Sequence, residues 1–398
     1  MEIYVSLFGK KKDTLEWTKL LEQEKVPFRY KGEILDNFSS INILVGFLIK
    51  KTKDFLNDRN RVWIIESTPN PSRKKLIEAF RSLDIPYIHL WYYPTGCFSI
   101  FLFRVDVDYV HLKGLENIFE FTKKFKIKGT YFINISGEEE FDEEIGHLKL
   151  KNPTTPERKD ILKNILSEGN EIANHGYWHY VFDNFKENDE NIKKCRLYLK
   201  HLFYVKDEGF CAPGGVWNLE LLKTLNKNKF LYSCNTVSQK GEFPYYPHFS
   251  IFKSKSLEIP FYQVSDAKFE SLLKSTFINP EVSDRLKEYY LKHIKKQLKS
   301  NRPIAIMVHP HLMGKIAKKV LPAIFRKISQ LNIQNYSLKE FAEWWRKREK
   351  IKLKYYQQNN KIIIHSNTLA FIEIIFRKKK KNLKLSNKKT TINLNKII

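Results

Sequence analysis

Apolar and polar positions along the chain switch repeatedly between a strand-like and a helix-like period. Ile3–Phe8 is strand-like, and residues 13–24 place Leu15, Trp17, Leu20 and Leu21 at helical spacing behind a candidate Asp13 cap. Ile41–Ile49 is a continuous apolar run suited to a buried strand. Arg61–Glu66 is a second such run, Ser72–Leu83 reads as a helix with a serine start, and Pro86–Tyr92 reads as a further strand. Strands alternating with helices predict a small parallel α/β domain over residues 1–95, closed by the turn-like Tyr93-Pro94-Thr95-Gly96. Only Gly9 follows the first strand, so neither a dinucleotide fingerprint nor a P-loop is present there.

From residue 96 to 346 the alternation resumes. Strands are predicted at Phe101–Val107, Gly129–Ile135, Glu171–Asn174, Gly209–Ala212, Phe230–Ser233, Leu257–Pro260 and Pro303–His309, with helices at Leu115–Phe125, Arg158–Glu168, Glu187–Leu202 and Leu338–Arg346. About seven strands with intervening helices in a segment of this length predict a barrel-like α/β domain. Residues 347–398 differ. Lys361–His365 and Phe371–Phe376 look like strands and Arg377–Lys381 is a basic run, which leaves two readings open, a small β appendage or a partly ordered basic tail.

Charge sharpens the picture of that tail. The chain carries a formal charge of +26, and residues 347–398 hold 15 Lys/Arg against two Glu. Such an excess favours anionic partners, and a basic tail suits an anionic membrane surface, unless the lysines are simply solvated. No recognised nucleic-acid motif accompanies the charge, which argues against that partner. Cys97, Cys195, Cys211 and Cys234 fall into no CxxC or zinc-finger spacing and read as reduced, separately placed thiols. The amino terminus lacks a signal-peptide pattern and no apolar run is long enough to span a bilayer, so the expected location is the cytoplasm, including the inner face of the membrane.

Candidate chemistry gathers at strand ends. Phe101-Leu-Phe-Arg-Val-Asp106-Val-Asp108 is an apolar strand with two carboxylates on one face, which is costly unless they are paired or hold a metal. His175 and His179, four apart after another strand, would share a metal if they lay on one helical turn; with one carboxylate they form a set with open positions for water. Pro303–Val308 ends in His309, a candidate general acid or base, with His311 as a competing assignment. Each feature alone has an ordinary structural explanation. Together, in strand-end positions of one barrel, they point to a catalytic mouth.

The order Asp-x-Asp, His-x-x-x-His, Ala212-Pro213-Gly214-Gly215 and strand-ending His resembles the polysaccharide deacetylase family, also called the NodB homology family or carbohydrate esterase family 4, over about Phe98–Trp345. The resemblance implies a distorted (β/α) barrel; the small parallel α/β domain before it, read from its own alternation, looks flavodoxin-like or amidotransferase-like at fold level only. It implies Asp106 as catalytic base, Asp108, His175 and His179 as ligands of a divalent metal (zinc first, with cobalt, nickel or manganese as alternatives), and His309 as general acid. Pro213, Gly214 and Trp217 are the expected substrate contacts, with Tyr109, Tyr131, Tyr177 and Trp178 as further aromatic candidates at the mouth. The implied activity is deacetylation of an acetylated sugar, sugar nucleotide or lipid-linked glycan in surface polysaccharide (lipopolysaccharide or capsule) biosynthesis. The alternative is an impaired barrel serving as a glycan-binding scaffold. That alternative rests on Cys211, which occupies the place of the arginine that orients the base in the family pattern. Arg104 shares the face of Asp106 and Asp108 and is one candidate substitute; otherwise it is a barrel-floor residue without a role.

Overall fold

Residues 2–34, 38–46, 58–108, 111–135, 155–235, 243–249, 252–261, 264–273 and 282–397 are described by the computed structural model. They divide into two units, residues 1–96 with 345–398, and residues 97–344. In the first unit, β1 (Val5–Phe8), β2 (Phe28–Gly32), β3 (Ile41–Val45) and β4 (Val62–Glu66) form a parallel sheet in the order β2-β1-β3-β4. Helices α1 (Leu15–Glu24) and α2 (Arg73–Ser82) accompany it. Ser72 caps α2 by accepting from the Lys75 amide at 3.2 Å, whereas the residue capping α1 is Thr14 rather than Asp13. Strand β2 escapes the hydrophobic pattern because an edge strand can carry Arg29, Tyr30 and Lys31 into solvent. The far end of the expected Ile41–Ile49 strand lies outside the described residues. β5 (Tyr87–Leu90) does not extend the parallel sheet as its sequence suggested.

The second unit is a curled, parallel half-barrel. Its strands are β6 (Ile100–Val107), β7 (Gly129–Ile133), β8 (Glu171–Asn174), β9 (Gly209–Phe210) and β10 (Tyr232–Ser233). A small antiparallel pair, β11 (His248–Phe249) with β12 (Phe252–Lys253), precedes β13 (Leu257–Glu258) and β14 (Ile304–Val308). The order is β13-β10-β9-β8-β7-β6-β14, and the short β15 (Gln334–Tyr336) adds to β6. Helices α3 (Leu112–Lys124), α4 (Pro156–Ser167), α5 (Phe185–Phe203) and α6 (Leu219–Lys227) follow successive strands. After them come α7 (Asp266–Leu272), α8 (Ser283–Lys299), α9 (Pro310–Met313), α10 (Ala317–Gln330) and α11 (Leu338–Glu349). The expected distorted (β/α) barrel of about seven strands is therefore present as an open sheet.

Strand β6 explains the geometry of the mouth. Phe101, Phe103, Val105 and Val107 point into the core shared with the helices, each contributing about 1.5–3 kcal/mol on full burial. The alternate positions, Arg104 and Asp106, followed by Asp108 just beyond the strand end, face the barrel interior and are buried. A burial on both faces is what gives this strand its nearly continuous apolar run. Gly114 of α3 allows a close approach to the backbone next to His309: a Cβ there would stand 2.0 Å from the Pro310 carbonyl oxygen.

The basic carboxy-terminal segment is folded. β16 (Leu353–Gln358), β17 (Lys361–Ser366), β18 (Ala370–Phe376), β19 (Lys379–Leu385) and β20 (Lys389–Asn393) make two antiparallel three-stranded sheets, β16-β17-β20 and β19-β18-β5. β18 pairs with β5, so the segment set apart from residues 1–95 in the sequence shares a sheet and a core with them. Arg348 is spent inside this unit, donating to the Trp91 carbonyl at 2.8 Å and to the Gln23 and Leu90 carbonyls at 2.6 Å each. The lysines of β19 remain exposed. Among the described residues, no helix is long and apolar enough to cross a membrane.

Candidate active site

The carboxyl ends of β6, β8, β9 and β14 bring the predicted residues together. Asp108 lies 3.2 Å from His175 Nε2 and 3.3 Å from His179 Nε2, both measured to Oδ1. That buried oxygen makes no contact of hydrogen-bond geometry. The ligand atoms of Asp108, His175 and His179 all lie within 4.8 Å of one another. His175 Nδ1 lies 2.8 Å from the Cys211 carbonyl, to which it donates, and this fixes the ring with Nε2 facing Asp108. Two imidazoles and one carboxylate converging with an unsatisfied buried oxygen make a donor set that could hold a divalent metal with open positions. Burial would push the Asp108 carboxyl up, but His179 and His175 outweigh it and hold it well below the usual carboxylate range.

The two histidines do not meet on a helical turn, as their spacing suggested. Residues 175–180 form an irregular loop. Asn191 Oδ1 of α5 accepts from the Tyr177 and Trp178 amides at 2.7 and 2.9 Å, and its Nδ2 donates to the Tyr180 carbonyl at 2.9 Å. Asn174 Oδ1 accepts from the Gly176 amide at 2.9 Å. Gly176 has φ +84°, and a Cβ there would stand 2.8 Å from the Trp178 carbonyl oxygen, which accounts for a glycine at this position.

Asp106 sits in a different environment. Arg104 Nε and Nη2 donate to its two oxygens, each at 2.6 Å. Burial would raise the Asp106 carboxyl, but the Arg104 guanidinium outweighs it and keeps the group below its ordinary range. His309 completes the group: ligand atoms of Asp106, Asp108 and His309 also converge within 4.8 Å. This second set is already committed, however. Both Asp106 oxygens are taken by Arg104, and His309 Nδ1 lies 2.6 Å from Asp266 Oδ1.

Asp266 is the residue that the sequence did not reveal. It accepts from the His309 amide at 2.7 Å and the Met313 amide at 3.2 Å through Oδ2, so it fixes both the ring and the start of α9. Burial would push the imidazole down, but Asp266 carries it up to about 9. His311 is instead pushed down to about 4, by burial and then by His309. Of the two histidines, His309 is therefore the one whose surroundings favour the protonated form. In sequence Asp266 is an acid in a first helical turn behind the Ser265 cap, and nothing distinguishes it from the many acids that favour that position. Asp266→Asn is expected to move the alkaline limb of the pH–rate profile down from about pH 9 towards the ordinary imidazole value near 6.5. A donor must be protonated and is lost above its pKa, so a lower pKa shortens the active range; an unmoved limb would disprove the link.

The remaining predicted residues are placed less uniformly. Pro213–Gly215 forms a tight turn right after β9 at the same end of the barrel, with Pro213 buried, Gly214 exposed and Trp217 half-buried. Tyr131 and Tyr177, expected at the mouth, instead lie in the core shared with the helices; Tyr131 pairs in register with Val105, on the face away from Asp106. Trp178 is half-buried beneath Lys194, whose Nζ lies 4.4 Å from the ring centre. Tyr109 lies outside the described residues.

Fold and cluster together define a parallel α/β half-barrel with a metal-competent mouth. Residues 106–233, within the barrel, match the polysaccharide deacetylase family model. Among solved structures, one assigned as a polysaccharide deacetylase from Mycobacterium smegmatis superposes with a TM-score of 0.52 at 18% identity, covering 65% of this chain and 94% of that one. Another so assigned, from Pseudomonas aeruginosa PAO1, gives 0.49 at 14%, covering 64% and 93%. Puue allantoinase gives 0.49 at 16%, covering 64% and 93%. At 18% identity the likeness to the Mycobacterium smegmatis structure speaks for the fold alone. No curated protein matches the sequence.

Proposed function

We propose that the barrel is a metal-dependent carbohydrate deacetylase that hydrolyses the N- or O-acetyl group of a sugar, sugar nucleotide or lipid-linked glycan. The observation that carries this reading is the convergence of Asp108, His175 and His179 beside an arginine-held Asp106 and an Asp266-held His309. Asp108, His175 and His179 would hold a divalent cation, zinc first by its preference for mixed imidazole and carboxylate donors. Bound there, such a cation supplies Lewis-acid polarisation of the acetyl carbonyl and acidifies the attacking water.

The chain's own groups then divide the proton transfers. Asp106, ionised and fixed by Arg104, takes a proton from the water. His309, protonated through Asp266, gives one from Nε2 to the departing nitrogen or oxygen. Nε2 lies 3.9 Å from Asp108 Oδ2, so the acid and the metal-holding residues face one small volume. The Pro213–Gly215 turn and Trp217 would border the sugar, an aromatic face being suited to the apolar side of a pyranose ring. The exposed lysines of β19 suit an anionic lipid surface, in keeping with a lipid-linked substrate and a peripheral, cytoplasmic setting for surface-polysaccharide synthesis. A scaffold without catalysis is the alternative raised by Cys211, and the Arg104–Asp106 pair favours the catalytic reading over it.

The test is acetate release from N-acetyl and O-acetyl sugars, free and nucleotide-linked, with zinc or cobalt supplied. Release that stops with a strong chelator and returns with added metal is expected. No release from any of them by metal-loaded protein would reject the reading.

A further inference from the structure

Arg104 is buried, and Asp106 is the acid with which it forms its ion pair. Its guanidinium uses its donors in three directions. Nε and Nη2 make the parallel pair of bonds to Asp106, Nη1 donates to the Cys234 carbonyl at 3.1 Å, and Nη2 also touches Cys211 Sγ. The rings of Phe132 and Phe261 flank it, with centres 5.2 and 5.4 Å from Cζ. Such a fork fixes both the place and the rotation of a carboxylate, which a single point charge does not.

The neighbours explain why the cation comes from this strand. Cys211 follows β9 and Cys234 follows β10, so both project beside the guanidinium from adjacent strands. The thiol of Cys211 is small and neutral when buried. An arginine at 211 would bring a second buried cation to the same carboxylate and would contest the volume that the Arg104 guanidinium fills, since Sγ already touches Nη2. The two positions are therefore alternatives for one charge.

We infer that Arg104 is the positioning residue for Asp106, and that the base is held by its own strand in a manner exclusive of a cation at position 211. The inference rests on reading Asp106 as the base. It makes a prediction that ordinary packing does not, that the effect of Cys211→Arg reverses sign with the residue at 104.

Five proteins decide it: wild type, Arg104→Met, Arg104→Lys, Cys211→Arg and the Arg104→Met/Cys211→Arg double variant, each assayed for kcat, KM, bound metal and urea midpoint. Arg104→Met is expected to lower kcat about 10²-fold with KM within about twofold and metal content kept, the cost of a misplaced reacting group. Cys211→Arg alone should lower both kcat and the urea midpoint. In the Arg104→Met background it should raise both, recovering at least about tenfold in kcat. Arg104→Lys should not recover kcat, because one ammonium cannot form the fork. Cys211→Arg equally harmful in both backgrounds, or Arg104→Met leaving kcat unchanged, would overturn the inference. If wild type releases no acetate, the deacetylase reading fails, whereas the sign reversal in urea midpoints still tests the shared charge position.

Discussion

Asp106→Asn is expected to lower deacetylation by about 10²–10⁴-fold while leaving metal content unchanged, the range for loss of a positioned general base. The separation of the two readouts follows from geometry. Asp106 directs both oxygens at Arg104, at 2.6 Å each, and so contributes neither to the Asp108, His175 and His179 set. The amide keeps the shape and one acceptor of the carboxylate but cannot take a proton near neutral pH. It also leaves Arg104 a buried cation without a counter-charge, a defect that costs about 3–5 kcal/mol when a buried pair is broken outright and less when an acceptor remains. Activity should therefore be compared on protein shown to be folded. An Asp106→Asn protein that loses its metal as readily as its activity would move Asp106 into the metal shell and redraw the site.

How much of this was legible beforehand depends on the range of the interaction. The two acids of β6 were readable because strand alternation is a local rule with period two, and the structure keeps Arg104, Asp106 and Asp108 on the inner face. His175 and His179 were readable as residue types in a strand-end position, but not as a geometry. Their approach depends on Asn191, 14 residues beyond Tyr177 in another element, and an asparagine inside a helix carries no sign of its task. Asp266 acts on His309 across 43 residues and looks like any acid opening a helix. The guanidinium of Arg104 was visible on the right face, but its choice of partner needed the register of β9 and β10, which places Cys211 and Cys234 beside it.

The first unit shows the same division. Its buried strands were found because they are mostly apolar, while β2 was missed because its edge position lets it be polar. β5 was recognised as a strand but assigned to the wrong sheet. Its partner β18 lies nearly 300 residues away, and Ile372↔Leu90 pairing has no local signature. The carboxy-terminal strands were hard to place for a related reason. β19 spends Lys379, Lys380, Lys381 and Lys384 on solvent and keeps Leu385 in the core, so composition suggests a tail where pairing with β18 makes a sheet.

Asp108→Ala and His175→Ala should each abolish tight metal binding and reduce activity by at least about 10³-fold, since Lewis-acid stabilisation is worth several kcal/mol and each 1.36 kcal/mol is a factor of ten. Removing Asp108 deletes the anionic member of the set and leaves two imidazoles without a carboxylate, a poor trap for a divalent ion. Removing His175 deletes a ring whose Nδ1 is already fixed on the Cys211 carbonyl at 2.8 Å, so the donor lost is the best oriented of the three. His179 differs, with 12% of its side chain accessible against 1% for His175, and no such anchoring contact is seen for it in the described residues. His179→Ala should accordingly weaken metal binding less than His175→Ala, with a water taking the vacated position. Mass spectrometry of metal content at micromolar zinc ranks the three variants. Wild type should carry about one ion per chain. Equal metal loss in Asp106→Asn and Asp108→Ala, or retention of the ion in His175→Ala, would contradict the assignment of Asp108, His175 and His179 as its ligands.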